Sequence, residues 1–171
     1  MSKQNIILIG LRGSGKTRVG KILAKKLGWN FVELDELVVK KAGLSIPEIV
    51  KKHGWRYFRY LETKVLKEIS GLKKSVISTG GGVVTRQKNI KILKEIGIVF
   101  WPKVSPETAA KRIVKDKSKI RPPLTKQKSL LAEMKEILKK RGKLYQKTAN
   151  HIIDTENSSL QKVAREILQK L

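Results

Sequence analysis

At 171 residues with 40% hydrophobic composition, the chain is long enough for one domain with a full apolar core, and no Pro-, Gly- or Ser-rich linker divides it. The lack of cysteine excludes disulfides and thiolate metal sites. No apolar run approaches a signal h-region or the roughly 20 residues of a membrane span, so a cytoplasmic protein without a membrane partner is expected. The 39 Lys and Arg against 14 Asp and Glu, a net charge of +25, would draw phosphorylated or carboxylated ligands inward. The lysines are spread over nearly every predicted helix, which reads as a solvated surface, so a monomer with no nucleic-acid partner is expected.

The first element is a buried strand at Ile6-Ile7-Leu8-Ile9, followed by Gly10-Leu11-Arg12-Gly13-Ser14-Gly15-Lys16-Thr17. This is G-x-x-x-x-G-K-[ST] between a strand and an amphipathic helix, the context in which the motif has meaning. The glycines let successive N–H groups over Gly13, Ser14, Gly15, Lys16, Thr17 and Arg18 converge on phosphate oxygens at a positive helix end. Lys16 would reach the β- and γ-phosphates, and the Thr17 hydroxyl would be a ligand of Mg²⁺. The helix runs from near Lys16 to about Leu27 on an apolar stripe of Val19, Ile22, Leu23, Ala24 and Leu27, and Gly28 ends it.

A short strand from Asn30 to Leu34 comes next, and with it the first acids of the chain, since residues 1–32 contain none. Glu33 and Asp35, spaced i, i+2 at the end of an extended segment, can point the same way, one toward a hydrated Mg²⁺ and the other toward a substrate hydroxyl. Ser45-Ile46-Pro47-Glu48 has the form of a capping box and starts a helix toward His53. Gly54 breaks it, and a second helix follows from Arg56 to Ile69. Arg59 and Glu62 are spaced for an i, i+3 ion pair, while Trp55, Phe58 and Leu61 share a core-facing stripe. The mixture of aromatics and arginines from Trp55 to Tyr60 also has the composition of an RNA-stacking surface. Neither histidine, His53 nor His151, is given a role.

Ser75-Val76-Ile77-Ser78 forms a third strand ending in Thr79-Gly80-Gly81-Gly82, a triplet that would weaken a sheet unless a ligand lay directly on the main chain. A helix at about Arg86–Ile96, a strand at Ile98–Trp101 and a helix from Ser105 to about Val114 follow. Lys115 to Lys126, with Pro122-Pro123 and no apolar period, reads as a mobile loop. A long helix from Ser129 to Thr148, a fifth strand near Ile152-Ile153 and a last helix from Ser159 to Leu171 complete the chain. Strands alternating with helices give an α/β fold with a five-stranded parallel sheet covered on both faces, its ligands beyond the carboxyl ends of the strands.

In combination these residues resemble shikimate kinase, of the nucleoside-monophosphate-kinase-like branch of P-loop proteins. The resemblance covers almost the whole chain and rests on motifs more specific than the P-loop: Asp35 after the second strand, Phe58-Arg59 followed by Glu62, Gly80-Gly81-Gly82, Arg121-Pro122, and Arg141 with Leu144-Tyr145 and Ala149. It implies a single kinase domain over residues 1–171, with a substrate-binding segment at about 35–63 and a lid at about 115–126. It further implies that Asp35, Phe58, Arg59, the glycine triplet and Arg141 bind shikimate, and that Arg121 contacts ATP phosphates. Arg112 would pack on adenine, with Asn157 bordering the same base. Asp35, Lys16 and Arg121 are then the catalytic set, with Thr17 and, through water, Glu33 on the Mg²⁺ side of ATP. Arg59 and Arg141 can supply charge-assisted bonds to the carboxylate of shikimate, and Asp35 can accept the proton of its 3-hydroxyl. The chain departs from the common pattern in Glu33-Leu34-Asp35 for Asp-x-Asp, in Trp55 where Glu commonly follows the glycine, and in Arg-Pro-Pro-Leu for Arg-Pro-Leu-Leu. The alternatives are another small-molecule P-loop kinase, for a substrate such as gluconate, or a basic RNA-associated P-loop protein.

Overall fold

The computed structural model describes residues 5–116 and 121–171. Among them, five short strands form one parallel sheet: β1 (Asn5–Leu8), β2 (Asn30–Glu33), β3 (Ser75–Ser78), β4 (Ile98–Lys103) and β5 (His151–Asp154), in the order β2-β3-β1-β4-β5. The central strand β1 pairs Ile7 with Ile77 on one side and with Val99 on the other. Because alternate residues point to opposite faces, the unbroken apolar run of β1 feeds two cores. Ile7 and Ile9 join one core with Ile77, Val99 and Trp101; Ile6 and Leu8 join the other with Val76, Phe100 and Ile153.

The helices divide between these faces. The smaller core is closed by α1 (Lys16–Leu27) and α7 (Leu160–Leu168), through Val19, Leu23, Val163 and Ile167. The larger is closed by α2 (Leu34–Ala42), α3 (Ile46–Glu68), α4 (Gln87–Ile96), α5 (Pro106–Lys115) and α6 (Leu130–Thr148). This is the three-layer arrangement expected from the alternation of elements. At the amino edge of the sheet the buried Asn5 amide donates to the carbonyls of Leu72 and Ile96, at 2.7 and 2.9 Å, and its oxygen accepts from Ser75 N at 3.0 Å. One polar side chain thus satisfies three main-chain groups where connections enter the sheet.

Two local outcomes bear on the site. Ser45 and Glu48 form the reciprocal capping box at the start of α3, and Gly54 adopts φ 77° and ψ 169°, so that α3 consists of two helical runs meeting at a kink. The second outcome corrects the sequence reading. The segment after β2 is not extended: Leu34 begins α2 and leaves Glu33 as its N-terminal flank in β conformation, without a side-chain cap. Leu34 and Val38 are fully buried, and packing of that face against α3 outweighs the β preference of Val38-Val39. Glu33 and Asp35 therefore leave the chain from different kinds of backbone, and the i, i+2 argument for a shared direction does not apply. The expected loop from Lys115 to Lys126 is cut back as well, since Lys115 closes α5. Residues 117–120 lie outside the described residues, and 121–126 run without helix or strand.

Candidate active site

Beyond the carboxyl ends of the strands lies a cleft of about 760 Å³, lined by the P-loop, the start of α2, the middle of α3, the glycine triplet, the end of α5, residues 121 and 124, and the inner face of α6. Its phosphate end is main chain. Gly13 and Gly15 take φ of 81° and 88°, turning the loop back onto α1, and a Cβ at Gly13 would meet the Ala109 carbonyl at 2.6 Å. Lys16 is nearly buried, and its Nζ donates to the carbonyls of Gly10 and Leu11 at 2.9 and 2.6 Å and to Ser14 Oγ at 3.3 Å. Thr17 Oγ1 donates to Glu33 Oε2 at 2.7 Å, so the carboxylate one methylene longer than the common aspartate still reaches the P-loop threonine. Arg18 lines the same end, exposed to solvent.

The acceptor end is made of side chains. Asp35, in the first turn of α2, accepts from Arg121 Nη2 at 2.6 Å through Oδ2, while its buried Oδ1 has no hydrogen-bond partner among the described residues. Arg59 Nη1 meets Glu62 Oε1 at 2.8 Å, the i, i+3 pair expected on this helix, and the Arg59 guanidinium also lies over the rings of Phe58 and Trp55 at 5.1 and 5.6 Å. Glu62 is wholly buried, and its Oε2 has no hydrogen-bond partner among the described residues. Burial outweighs the attraction of Arg59 and raises its carboxyl from the ordinary 4.5 to about 7, with Asp35 adding repulsion. Tyr145, on α6, donates its hydroxyl to the Gly81 carbonyl at 2.5 Å, and burial pushes that phenol up to about 12. Arg141, one turn earlier, lines the cleft and faces both Glu62 and Tyr145 electrostatically.

The glycine triplet is the floor under these groups. A Cβ at Gly80 would fall 2.8 Å from Asp35 Oδ1 and 3.2 Å from Glu62 Oε1; one at Gly82 would fall 2.1 Å from Arg59 Cζ. The side chains thus rest directly on main chain, which is the physical reason for three glycines at the end of a strand.

On the nucleotide side, Arg112 at the end of α5 donates to the carbonyls of Gly13 and Thr155 at 3.5 and 3.3 Å, bridging the P-loop and the loop after β5. That loop is held down by Glu156, whose carboxylate accepts from Ser105 N and Oγ, both at 2.8 Å, and from the Thr108 hydroxyl. Asn157 is exposed and does not line the cleft; its neighbours Ser158, Ser159 and Leu160 do. Three further residues line the cleft in ways that no spacing rule pointed to. Arg12, at a variable position of the P-loop motif, lines the cleft, with its basicity lowered by burial and by Arg121. Glu133 lines it from α6 and accepts from Leu124 N at 3.3 Å. Trp55 Nε1 donates to the Pro123 carbonyl at 3.4 Å, joining α3 to the segment after Arg121.

Comparison with known proteins gives one family. Residues 12–171 match the sequence model of the family described as shikimate kinase. A shikimate kinase of Thermodesulfovibrio yellowstonii is 42% identical over 98% of this chain and 94% of its own length. Among solved structures, that of shikimate kinase from Acinetobacter baumannii in complex with shikimate is 36% identical, with a TM-score of 0.90 over 98% of this chain and 92% of that one. Shikimate kinase from Aquifex aeolicus is 37% identical, with a TM-score of 0.81 over 96% and 94%.

Proposed function

The chain belongs to the shikimate kinase family and transfers a phosphoryl group from ATP to shikimate, and we propose that Asp35 receives the proton of the acceptor hydroxyl, the 3-hydroxyl, as it attacks the γ-phosphate. The observation that carries this role is Asp35 Oδ1, a buried acceptor without a hydrogen-bond partner among the described residues, at the acceptor end of the cleft. Arg59 and Arg141 hold the substrate carboxylate, the first already oriented by Glu62 below and by two aromatic faces beside it. Phe58 and the main chain of Gly80, Gly81 and Gly82 hold the ring between them.

The N–H groups over Gly13–Arg18 cradle the phosphates, and Lys16 turns from the Gly10 and Leu11 carbonyls to the β/γ oxygens. Arg121 moves between Asp35 and the transferring phosphoryl group, and the described part of the lid, residues 121–126, shields the reaction so that water does not accept the phosphate. Arg112 flanks the base, with Ser158, Ser159 and Leu160 rather than the exposed Asn157 facing it from the loop after β5. The hard oxygens of Thr17 and Glu33 fit Mg²⁺, which takes few protein ligands and completes its shell with water and phosphate. Among the described residues no larger cluster of metal ligands exists. When bound with ATP, Mg²⁺ neutralises charge on the β- and γ-oxygens.

Among the described residues no helix is long and apolar enough to cross a membrane. The deciding experiment is a coupled assay of ADP release with ATP and Mg²⁺ in the presence of shikimate, gluconate or no acceptor. Release should depend on shikimate. Equal release with gluconate, or release without any acceptor, would overturn the proposed site.

A further inference from the structure

On the side of α3 that faces away from the cleft is a second concavity, an open hollow of about 400 Å³ lined by His53, Arg56, Tyr57, Tyr60 and Arg86. None of these residues touches the cleft. Tyr57 and Tyr60 are 39% and 52% exposed, and among the nine Phe, Trp and Tyr residues of the chain only these two are left so far outside. Their rings stack with centroids 6.2 Å apart, and His53 lies against Tyr57 at 4.7 Å. The result is a continuous aromatic platform on the surface, while Phe58 and Leu61 on the opposite stripe are buried.

The charge around the platform has one sign. Arg56 flanks it on α3, and Arg86 reaches across from the start of α4 to donate to the Arg56 carbonyl at 3.5 Å. Lys52 and Lys64 are exposed at either end of the platform, and Lys88 is exposed on α4 beside Arg86. Between Glu48 and Glu68 the only carboxylate is Glu62, fully buried on the cleft side and held by Arg59. The platform therefore has no acid of its own to neutralise it.

Exposed π faces beside uncompensated guanidinium and ammonium groups match one chemistry, bases that stack and phosphates that pair. From this juxtaposition we infer that the outer face of α3, centred on Tyr57 and Tyr60, is a binding surface for single-stranded RNA. An acidic protein segment would satisfy the cations but leave the stacked rings without a use. A duplex would satisfy the cations while keeping its bases closed to the rings. The even spread of lysines along the sequence pointed to a solvated surface only. What changes that reading is the clustering of exposed rings, which spacing alone does not reveal.

The test uses the full-length protein with its cleft filled by ADP and shikimate, so that a nucleotide in the P-loop does not contribute. Binding of a fluorescein-labelled oligouridylate is followed by anisotropy across a salt series. The double variant Tyr57→Ala/Tyr60→Ala should weaken binding roughly tenfold or more. Tyr57→Phe/Tyr60→Phe should bind as the wild type does, since the rings remain, and both variants should phosphorylate shikimate normally, which also shows that they fold. Arg56→Ala should weaken binding and lower the salt slope by about 0.7, one single-strand phosphate contact. RNA affinity unchanged in the alanine pair, or an equal affinity for duplex RNA or poly-L-glutamate, would overturn the inference.

Discussion

The phosphate end of the cleft is main chain from one stretch, Gly10 to Arg18, whereas the acceptor end is assembled from side chains far apart in sequence: Asp35 on α2, Arg59 and Glu62 on α3, Arg141 and Tyr145 on α6. The first needs only a strand, a turn and a helix in succession. The second exists only after α3 and α6 have packed on the same face of the sheet. Even the interactions differ in kind, because Lys16 is held by carbonyls of its own loop while Arg59 is held by a carboxylate forced out of water. A local device should therefore fail all at once when the lysine held by its own carbonyls is removed, and the assembled one by degrees.

The largest effect is expected at Lys16. Lys16→Ala removes the cation that the loop delivers to the phosphates, and turnover should fall by roughly 10²–10³-fold or more while the circular dichroism spectrum is unchanged. A folded variant with near-normal shikimate-dependent ADP release would break the contrast at its stronger side.

Next comes the buried carboxyl of Glu62. Its folded pKa, about 7, is above the ordinary 4.5, so folding favours the protonated form. The associated stability is fully present below pH 4.5 and is lost as the pH rises through about 7. Relative to Glu62→Gln, the wild type should lose stability on the order of 3 kcal/mol across that window, read from denaturant midpoints at a series of pH values. A difference between the two proteins that does not vary with pH would show that Glu62 does not titrate there. Arg59, Arg141 and Asp35 are the charged groups that set its position.

The smallest expected effect belongs to the two guanidinium groups. Arg59→Ala or Arg141→Ala should each weaken shikimate binding by about 1.5–3 kcal/mol, roughly ten- to a hundredfold, with ATP binding in the absence of shikimate nearly unchanged. Lysine at either position should recover part of the loss, keeping the charge without the planar fork. Calorimetric titration with each substrate separately gives the answer, and a loss confined to ATP would remove both arginines from the acceptor end.

The same contrast explains what could be read from residues alone. The P-loop, the capping box at Ser45, the break at Gly54 and the Arg59–Glu62 pair are all encoded within a few neighbouring residues, and each is found where its spacing puts it. The start of α2 was not legible, because Glu33 spends its carboxylate on Thr17 instead of capping the helix, and Val38-Val39 prefers a strand until the core takes Val38 in. Arg12, Glu133 and Trp55 escaped for a related reason. Arg12 and Trp55 meet the cleft through neighbours dozens of residues away, and Glu133 through Leu124, nine positions earlier.

Gly82 shows how far such distant encoding goes. The space a methyl group would occupy there is already filled by the Arg59 guanidinium, 23 positions earlier in the chain. A saturation library at this position would accordingly be a screen on residue 59: every replacement, alanine included, evicts the arginine from its place. What a side chain at position 82 takes away is the seat of that guanidinium: the flexible end of Arg59 can swing aside without harm to the fold, so the loss would fall on the acceptor end of the cleft.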